Sequence, residues 1–159
     1  AADRLVPDCV RAAQAGTEVV LRHPRAVRPW QYVLEPLRGY LELAESCLAG
    51  GGAFAGAWNF GPLSTDLRTV EWIVSTLSER LPGRLRYRVD ARAHPHEAHV
   101  LALDCSKAAA HLGWRPLTDV SEALEWTAAW YRAFAAGDDM QALSLAQIRE
   151  YENRVRAPA

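Results

Sequence analysis

The segment RHPRAVRPW (residues 22–30) sets Arg22, Arg25 and Arg28 at every third position and restrains the backbone with Pro24 and Pro29. A guanidinium is a planar fork of donors that matches phosphate oxygens, and each proline fixes φ before any ligand arrives. The anion that suits this arrangement best is a diphosphate. A polyproline-like path would align the three arginines on one edge, whereas a strand–turn–strand path would point them apart, and the spacing admits both. A solvated loop whose arginines pair with surface carboxylates is an equally good reading of the stretch alone.

Two other clusters hold residue types capable of chemistry. In HPHEAH (94–99), His94, His96 and His99 with Glu97 are possible metal ligands. The pattern is His-Glu-x-His, however, not the His-Glu-x-x-His that sets two imidazoles on one helical face, and Pro95 opposes a regular helix. The loop reads as ligand-facing, and no metal is expected. In GGGAFAG (50–56), Gly50, Gly52 and Ala55 fit a loose GxGxxA. A dinucleotide fingerprint needs a strand before the glycines and a helix after them. Here the order is reversed, so the run reads as a helix-to-strand connection. No nucleophile elbow, phosphate-cradling Walker loop or paired-carboxylate arrangement occurs, and Lys107, the only lysine, has no tyrosine four residues before it. No catalytic residue is expected in this chain.

The elements that must position these groups follow from hydrophobic periodicity. Helices are expected over residues 3–15, 33–48, 69–81, 106–112 and 119–136, with a last amphipathic helix beginning near 144. In the second, Leu34, Leu37, Leu41 and Ala44 form the apolar face. Strands are expected over 17–22, 57–61 and 85–89, and residues 99–104 read as a short strand or an extended connection. The arginine segment is an irregular connection between the first strand and the second helix.

Composition narrows the class. With 159 residues, 50% of them apolar and 23% charged, the chain is one globular unit. A net charge of −1 supplies no field that would gather nucleic acid or an anionic membrane. Cys9, Cys47 and Cys105 are too few and too scattered for a disulfide framework or a thiolate zinc site. No apolar run approaches a membrane span and no signal peptide is recognisable, so a cytoplasmic protein is expected. The chain opens on a helical pattern without an initiating methionine, which reads as the later part of something longer.

Taken together, DRLVPDCVRA, RHPRAVRPWQYVLEPLRGYLELAE, WNFGP, HPHEAHVLALDCSKAAAHLGWRP and ALEWTAAWYRAF resemble, in order and spacing, the C-terminal half of CDP-glucose 4,6-dehydratases. These are NAD-dependent lyases of the extended short-chain dehydrogenase/reductase superfamily, in its epimerase/dehydratase branch. The resemblance implies an α/β, helix-rich substrate-binding domain with a few short strands. The Rossmann half, with its Tyr-x-x-x-Lys pair, would lie upstream. It also implies a role in converting CDP-glucose to CDP-4-keto-6-deoxyglucose for surface polysaccharides. Residues 1–159 would be one nucleotide-sugar-binding portion, inactive alone. NAD would belong to the complete enzyme, a homo-oligomer, and not to this chain.

Roles follow by resemblance. Arg28 matches the arginine set on the diphosphate. Arg4 and Leu5 match a segment that approaches the nucleotide, Val20 and Leu21 flank the base, and Asn59 reaches the phosphates or ribose. The HPHEAH loop stands where sister dTDP-glucose dehydratases carry Arg-Pro-Gly-His-Asp. His94 replaces that arginine and one residue is missing, leaving His96 and Glu97 to meet ribose hydroxyls or the cytosine edge. Arg22 and Arg25 are supporting or surface residues. Against these roles, Asn59 also reads as a strand-end cap and Arg4 as a solvated first-turn residue. Two other classes of function remain: a non-catalytic binding or scaffold protein of the same fold, and a small histidine-rich metal protein. An exposed apolar patch, including several of the six tryptophans, is expected where the Rossmann half would pack.

Overall fold

The computed structural model describes residues 4–83, 85–92, 94–95 and 97–157. Along the chain it places α1 (Leu5–Ala15), β1 (Glu18–Leu21), β2 (Val27–Arg28), α2 (Leu34–Gly50), β3 (Arg68–Thr69), α3 (Val70–Arg80), β4 (Arg86–Val89), α4 (Ser106–Leu112), α5 (Val120–Ala136) and α6 (Met140–Arg156). The expected helix-rich α/β class is what forms. The helix ends follow local chemistry. Gly16, Gly113 and Gly137 take the left-handed conformation that closes α1, α4 and α5, while Thr69, Asp119 and Asp139 cap α3, α5 and α6 with side-chain oxygens.

The strands make two small sheets. β1 pairs in parallel with β4, in the register Glu18 to Arg86 through Leu21 to Val89. β2 pairs antiparallel with β3, Val27 opposite Thr69 and Arg28 opposite Arg68. A single parallel bridge joins Val27 to Val100, so residues 99–104 are mainly an extended connection.

The main core fills the space between α1, α3, α5 and β1. Cys9, Val10 and Ala13 from α1 meet Ile73, Val74 and Leu77 from α3, Val19 and Leu21 from β1, and Leu124 and Ala128 from α5. Each large aliphatic buried there contributes about 1.5–3 kcal/mol. Burial also suppresses ionisation of Cys9, whose thiol is pushed up to about 12. A smaller cluster of Phe60, Ala108 and Trp114 sits under α2 and α4.

Three expectations are corrected here. Residues 57–61 form no strand, because their polar groups are taken by side chains instead of a neighbouring strand. The Ala57 carbonyl accepts from Lys107 Nζ at 3.1 Å, the Phe60 carbonyl from Gln31 Nε2 at 2.9 Å, and Gly61 N–H donates to Cys105 Sγ at 3.1 Å. The buried face of α2 is also not the one expected. Glu35 and Gly39 are its buried residues, and Leu37 and Leu41 are exposed together with Val33, Tyr40 and Leu48. Together with Val33, just before the helix, these residues form the exposed apolar stripe of α2. None of the six tryptophans is exposed, since each finds a packing partner within the chain.

Gly39 is buried because α2 lies directly on Phe60, and a Cβ at position 39 would collide with that ring. Gly39→Ala should therefore destabilise the chain by about 1–3 kcal/mol, although alanine alone favours a helix by about 1 kcal/mol. Urea unfolding would show this as a lower midpoint at unchanged slope.

Candidate functional site

The arginine segment follows the strand–turn–strand path. A turn closes where Ala26 N–H donates to the His23 carbonyl at 3.0 Å, and β2 then carries Val27 and Arg28. The start of α3 locks this turn in place: Val70 N–H donates to the Ala26 carbonyl at 3.0 Å and Glu71 N–H to the Pro24 carbonyl at 2.9 Å. These bonds satisfy two helix-terminal donors that would otherwise lack partners. On the other side, Val27 N–H donates to the His99 carbonyl at 2.8 Å and Leu101 N–H to the Val27 carbonyl at 3.0 Å. Trp30 closes the base by donating its indole N–H to the Arg68 carbonyl at 3.0 Å. Arg28 thus stands on backbone clamped from both sides.

Next to it lies a concavity of about 240 Å³. Its wall contains Leu5, Val20, Leu21, Arg28 and Glu97, five of the nine residues singled out from the sequence. Asp8, Val19, Arg22, His23, Ala26, Trp30 and Val70 complete it. β1 supplies the floor, and its edge away from β4 has no strand partner among the described residues. An unpaired strand edge offers fixed N–H and C=O groups to a planar hydrogen-bonding ligand.

Arg28 is held in place by its own hydrogen bonds. Nη1 donates to the Val27 carbonyl at 2.7 Å and the Ala98 carbonyl at 3.0 Å, and Nη2 donates to Glu97 Oε1. The Arg28 side chain is only 17% exposed, whereas that of Glu97 is 51% exposed. The hydrogen bond from Arg28 holds the Glu97 carboxyl below its usual range, and the nearby His23 and Arg22 charges add to this. The tie is therefore complete above the ordinary glutamate range and is lost as pH falls through the lowered value.

Beyond Glu97 the polar chain continues. His23 Nε2 stands 3.7 Å from Glu97 Oε2, and the His23 ring meets that of His94 edge to face, 5.6 Å between centroids. His94 Nε2 stands 3.2 Å from Asp90 Oδ2. Asp90 accepts from the Arg92 backbone N–H and from its guanidinium, at 2.7 Å to Nη2, which keeps its carboxyl far below the usual range. Asp90 N–H in turn donates to the Leu21 carbonyl at 2.9 Å, fastening this cluster to β1.

The other sequence-derived residues lie apart. Arg4 is exposed and precedes α1, outside the concavity wall. Asn59 donates to the Asp104 carbonyl at 3.1 Å, and Asp104 borders a different cavity of about 630 Å³. His94 faces Asp90, one step behind His23. Arg25 is exposed and outside the wall, and His96 lies outside the described residues. Among the residues missed, His23 and Trp30 carried a readable signal, because both sit inside the arginine segment itself. Asp8 and Val70 carried none, since each reaches the site from a separate element.

The glycine run tests whether this chain could cradle a dinucleotide. α2 ends at Gly50, Gly51 closes it with a φ of 57°, and a 3₁₀ turn follows over Gly51–Phe54. The run therefore faces helix carbonyls and the negative end of the dipole, the opposite of what a pyrophosphate requires. NAD does not fit it. A third cavity, about 460 Å³ between α1, α5 and α6, has no charged side chain in its wall and is unsuited to a diphosphate. Among the described residues no group of ligating side chains could hold a metal ion, and no helix is long and apolar enough to cross a membrane.

No protein-family model matches the chain. The resemblance read from the motifs is nevertheless borne out: over 151 residues, 95% of its length, the chain is 42% identical to the CDP-glucose 4,6-dehydratase of Salmonella typhimurium. It spans 42% of that protein. Among solved structures, the UDP-glucose-4-epimerase of Stenotrophomonas maltophila, with bound NAD and formylated UDP-arabinopyranose, superposes with a TM-score of 0.69 at 20% identity, covering 85% of this chain and 41% of that one. The dTDP-glucose 4,6-dehydratase of Bacillus anthracis, in complex with NAD, gives a TM-score of 0.60 at 19% identity over 81% of this chain and 39% of that one. The shared fold is thus that of part of an extended short-chain dehydrogenase/reductase.

Proposed function

We propose that residues 1–159 are the nucleotide-gripping portion of a CDP-glucose 4,6-dehydratase. Arg28 takes the diphosphate, and the open edge of β1, flanked by Leu5, Val20 and Leu21, takes the base. The observation that carries this reading is the placement of Arg28. Arg28, carried on backbone clamped from both sides, lines a concavity whose floor is a strand edge without a partner among the described residues. Preorganised donors of this kind bind anions with little ordering cost. The two groups are also what distinguish a nucleoside diphosphate from a simple anion, since one reads charge and the other reads a planar edge.

The concavity is smaller than the roughly 300–1,000 Å³ of complete ligand pockets, which agrees with a site finished by other parts of a longer protein. In this reading the dinucleotide and the tyrosine–lysine pair come from that remainder, because neither has a place in these residues. The exposed stripe of Leu37, Tyr40, Leu41 and Leu48 on α2, with Val33 just before it, is where the remainder packs. When the ligand is held in the complete protein, Arg4 approaches the nucleotide, Asn59 the phosphates or ribose, and the loop carrying His94, His96 and Glu97 the ribose hydroxyls or the cytosine edge.

Calorimetric titration with CDP, CDP-glucose and dTDP tests the assignment. The expected result is saturable binding of both cytidine ligands, with dTDP weaker by about tenfold, one hydrogen-bonded edge's worth of discrimination. A folded chain that binds none of them, or all three equally, would refute the cytidine assignment.

A further inference from the structure

In the free chain the Arg28 fork is already occupied. Its Nη1 is committed to two main-chain carbonyls, Val27 and Ala98, which the fold fixes. Its Nη2 is bonded to the Glu97 carboxylate, its one anionic partner among the described residues, on a side chain that can turn away. Glu97 also lines the same concavity. A diphosphate cannot approach that face of the guanidinium while a carboxylate sits on it, because the two anions need the same donors and repel each other at contact distance.

We infer that Glu97 is an internal stand-in for the ligand, a carboxylate that occupies the Arg28 fork in the free chain and must swing out before a diphosphate enters. This rests on the reading of Arg28 as the diphosphate-binding residue. The geometry keeps the exchange easy. Half of the Glu97 side chain is already in water, so release costs little desolvation. Meanwhile the bonds from Nη1 to Val27 and Ala98 keep the guanidinium in position. The contact therefore sets a threshold: ligands without a phosphate leave it closed, and phosphorylated ligands bind more weakly than the bare fork would allow.

The sign of one substitution decides the matter. A residue that contacts the ligand weakens binding when it is removed, whereas a competitor strengthens it. Inorganic pyrophosphate is the probe, because it has neither ribose nor base for Glu97 to meet. Calorimetry on the full chain should show Glu97→Gln binding pyrophosphate about three- to tenfold more tightly than the unaltered chain, as loss of a partly exposed competing ion pair would give. Glu97→Ala should move in the same direction. Glu45→Gln removes one negative charge from the exposed surface of α2, outside the wall of the concavity, and should change affinity by less than about twofold. Unchanged or weaker binding in both Glu97 variants would overturn the inference, as would an equal gain in Glu45→Gln, which would reduce the effect to net charge. Failure of the underlying reading looks different: Arg28→Ala would then bind pyrophosphate as well as the unaltered chain does.

Discussion

Replacing Glu35 by alanine should cost the chain about 3 kcal/mol or more, a large share of the roughly 5–15 kcal/mol typical of a domain. Glu35 is wholly buried, and its carboxyl group accepts four hydrogen bonds. Oε1 takes Leu117 N–H at 3.0 Å, Thr118 N–H at 2.8 Å and the Thr118 hydroxyl at 2.8 Å, while Oε2 takes the Tyr151 hydroxyl at 2.7 Å. That hydroxyl accepts in turn from Arg38 Nε at 3.1 Å, and Arg38 also pairs with Glu42 and donates to the Arg115 carbonyl. One side chain thus joins α2 to the 115–118 connection and to α6. Alanine would leave two backbone N–H groups and two hydroxyls without their acceptor in a site closed to water, each costing about 1–3 kcal/mol before relaxation. Glu35→Gln keeps the shape and one acceptor oxygen, and its expected loss is smaller, about 1–2 kcal/mol. Urea unfolding followed by far-ultraviolet circular dichroism measures both; an alanine variant within 1 kcal/mol of the unaltered chain would show that the network is dispensable.

Glu35 also marks where reading the sequence stopped. The helical period of α2 was plain, and its apolar positions suggested a buried face of leucines. The structure buries Glu35 and Gly39 and leaves Leu37 and Leu41 to solvent, because periodicity reveals that a helix has two faces but not which of them this chain covers. Glu35 carried no local signal, since its partners lie more than 80 residues away. The capped helices were legible because caps and periods are local. The two-residue strands β2 and β3 were not, because nothing in so short a run distinguishes a strand from a loop. At the site, guanidinium chemistry and the flanking prolines made the arginine segment a candidate for a diphosphate. The contact between Arg28 and Glu97 was not legible, being set by the pairing of Val27 with 99–101.

Arg28→Ala is expected to weaken CDP binding by about 30-fold or more, the scale for truncating a largely buried, hydrogen-bonded charge. Glu97 would lose its partner in the same variant, so the loss measured is that of the whole fork. Arg28→Lys keeps the charge but not the planar donor pair, and about tenfold weakening is expected from it. Because Arg28 also holds the Val27 and Ala98 carbonyls, circular dichroism and the unfolding midpoint need to show that each variant folds.

The most direct test is a calorimetric titration of CDP into the unaltered chain and into folded Arg28→Ala, side by side. Saturable binding that falls at least 30-fold on loss of the guanidinium is the predicted result. Equal affinity in the two chains would contradict the placement of the diphosphate on Arg28 and, with it, the proposed function.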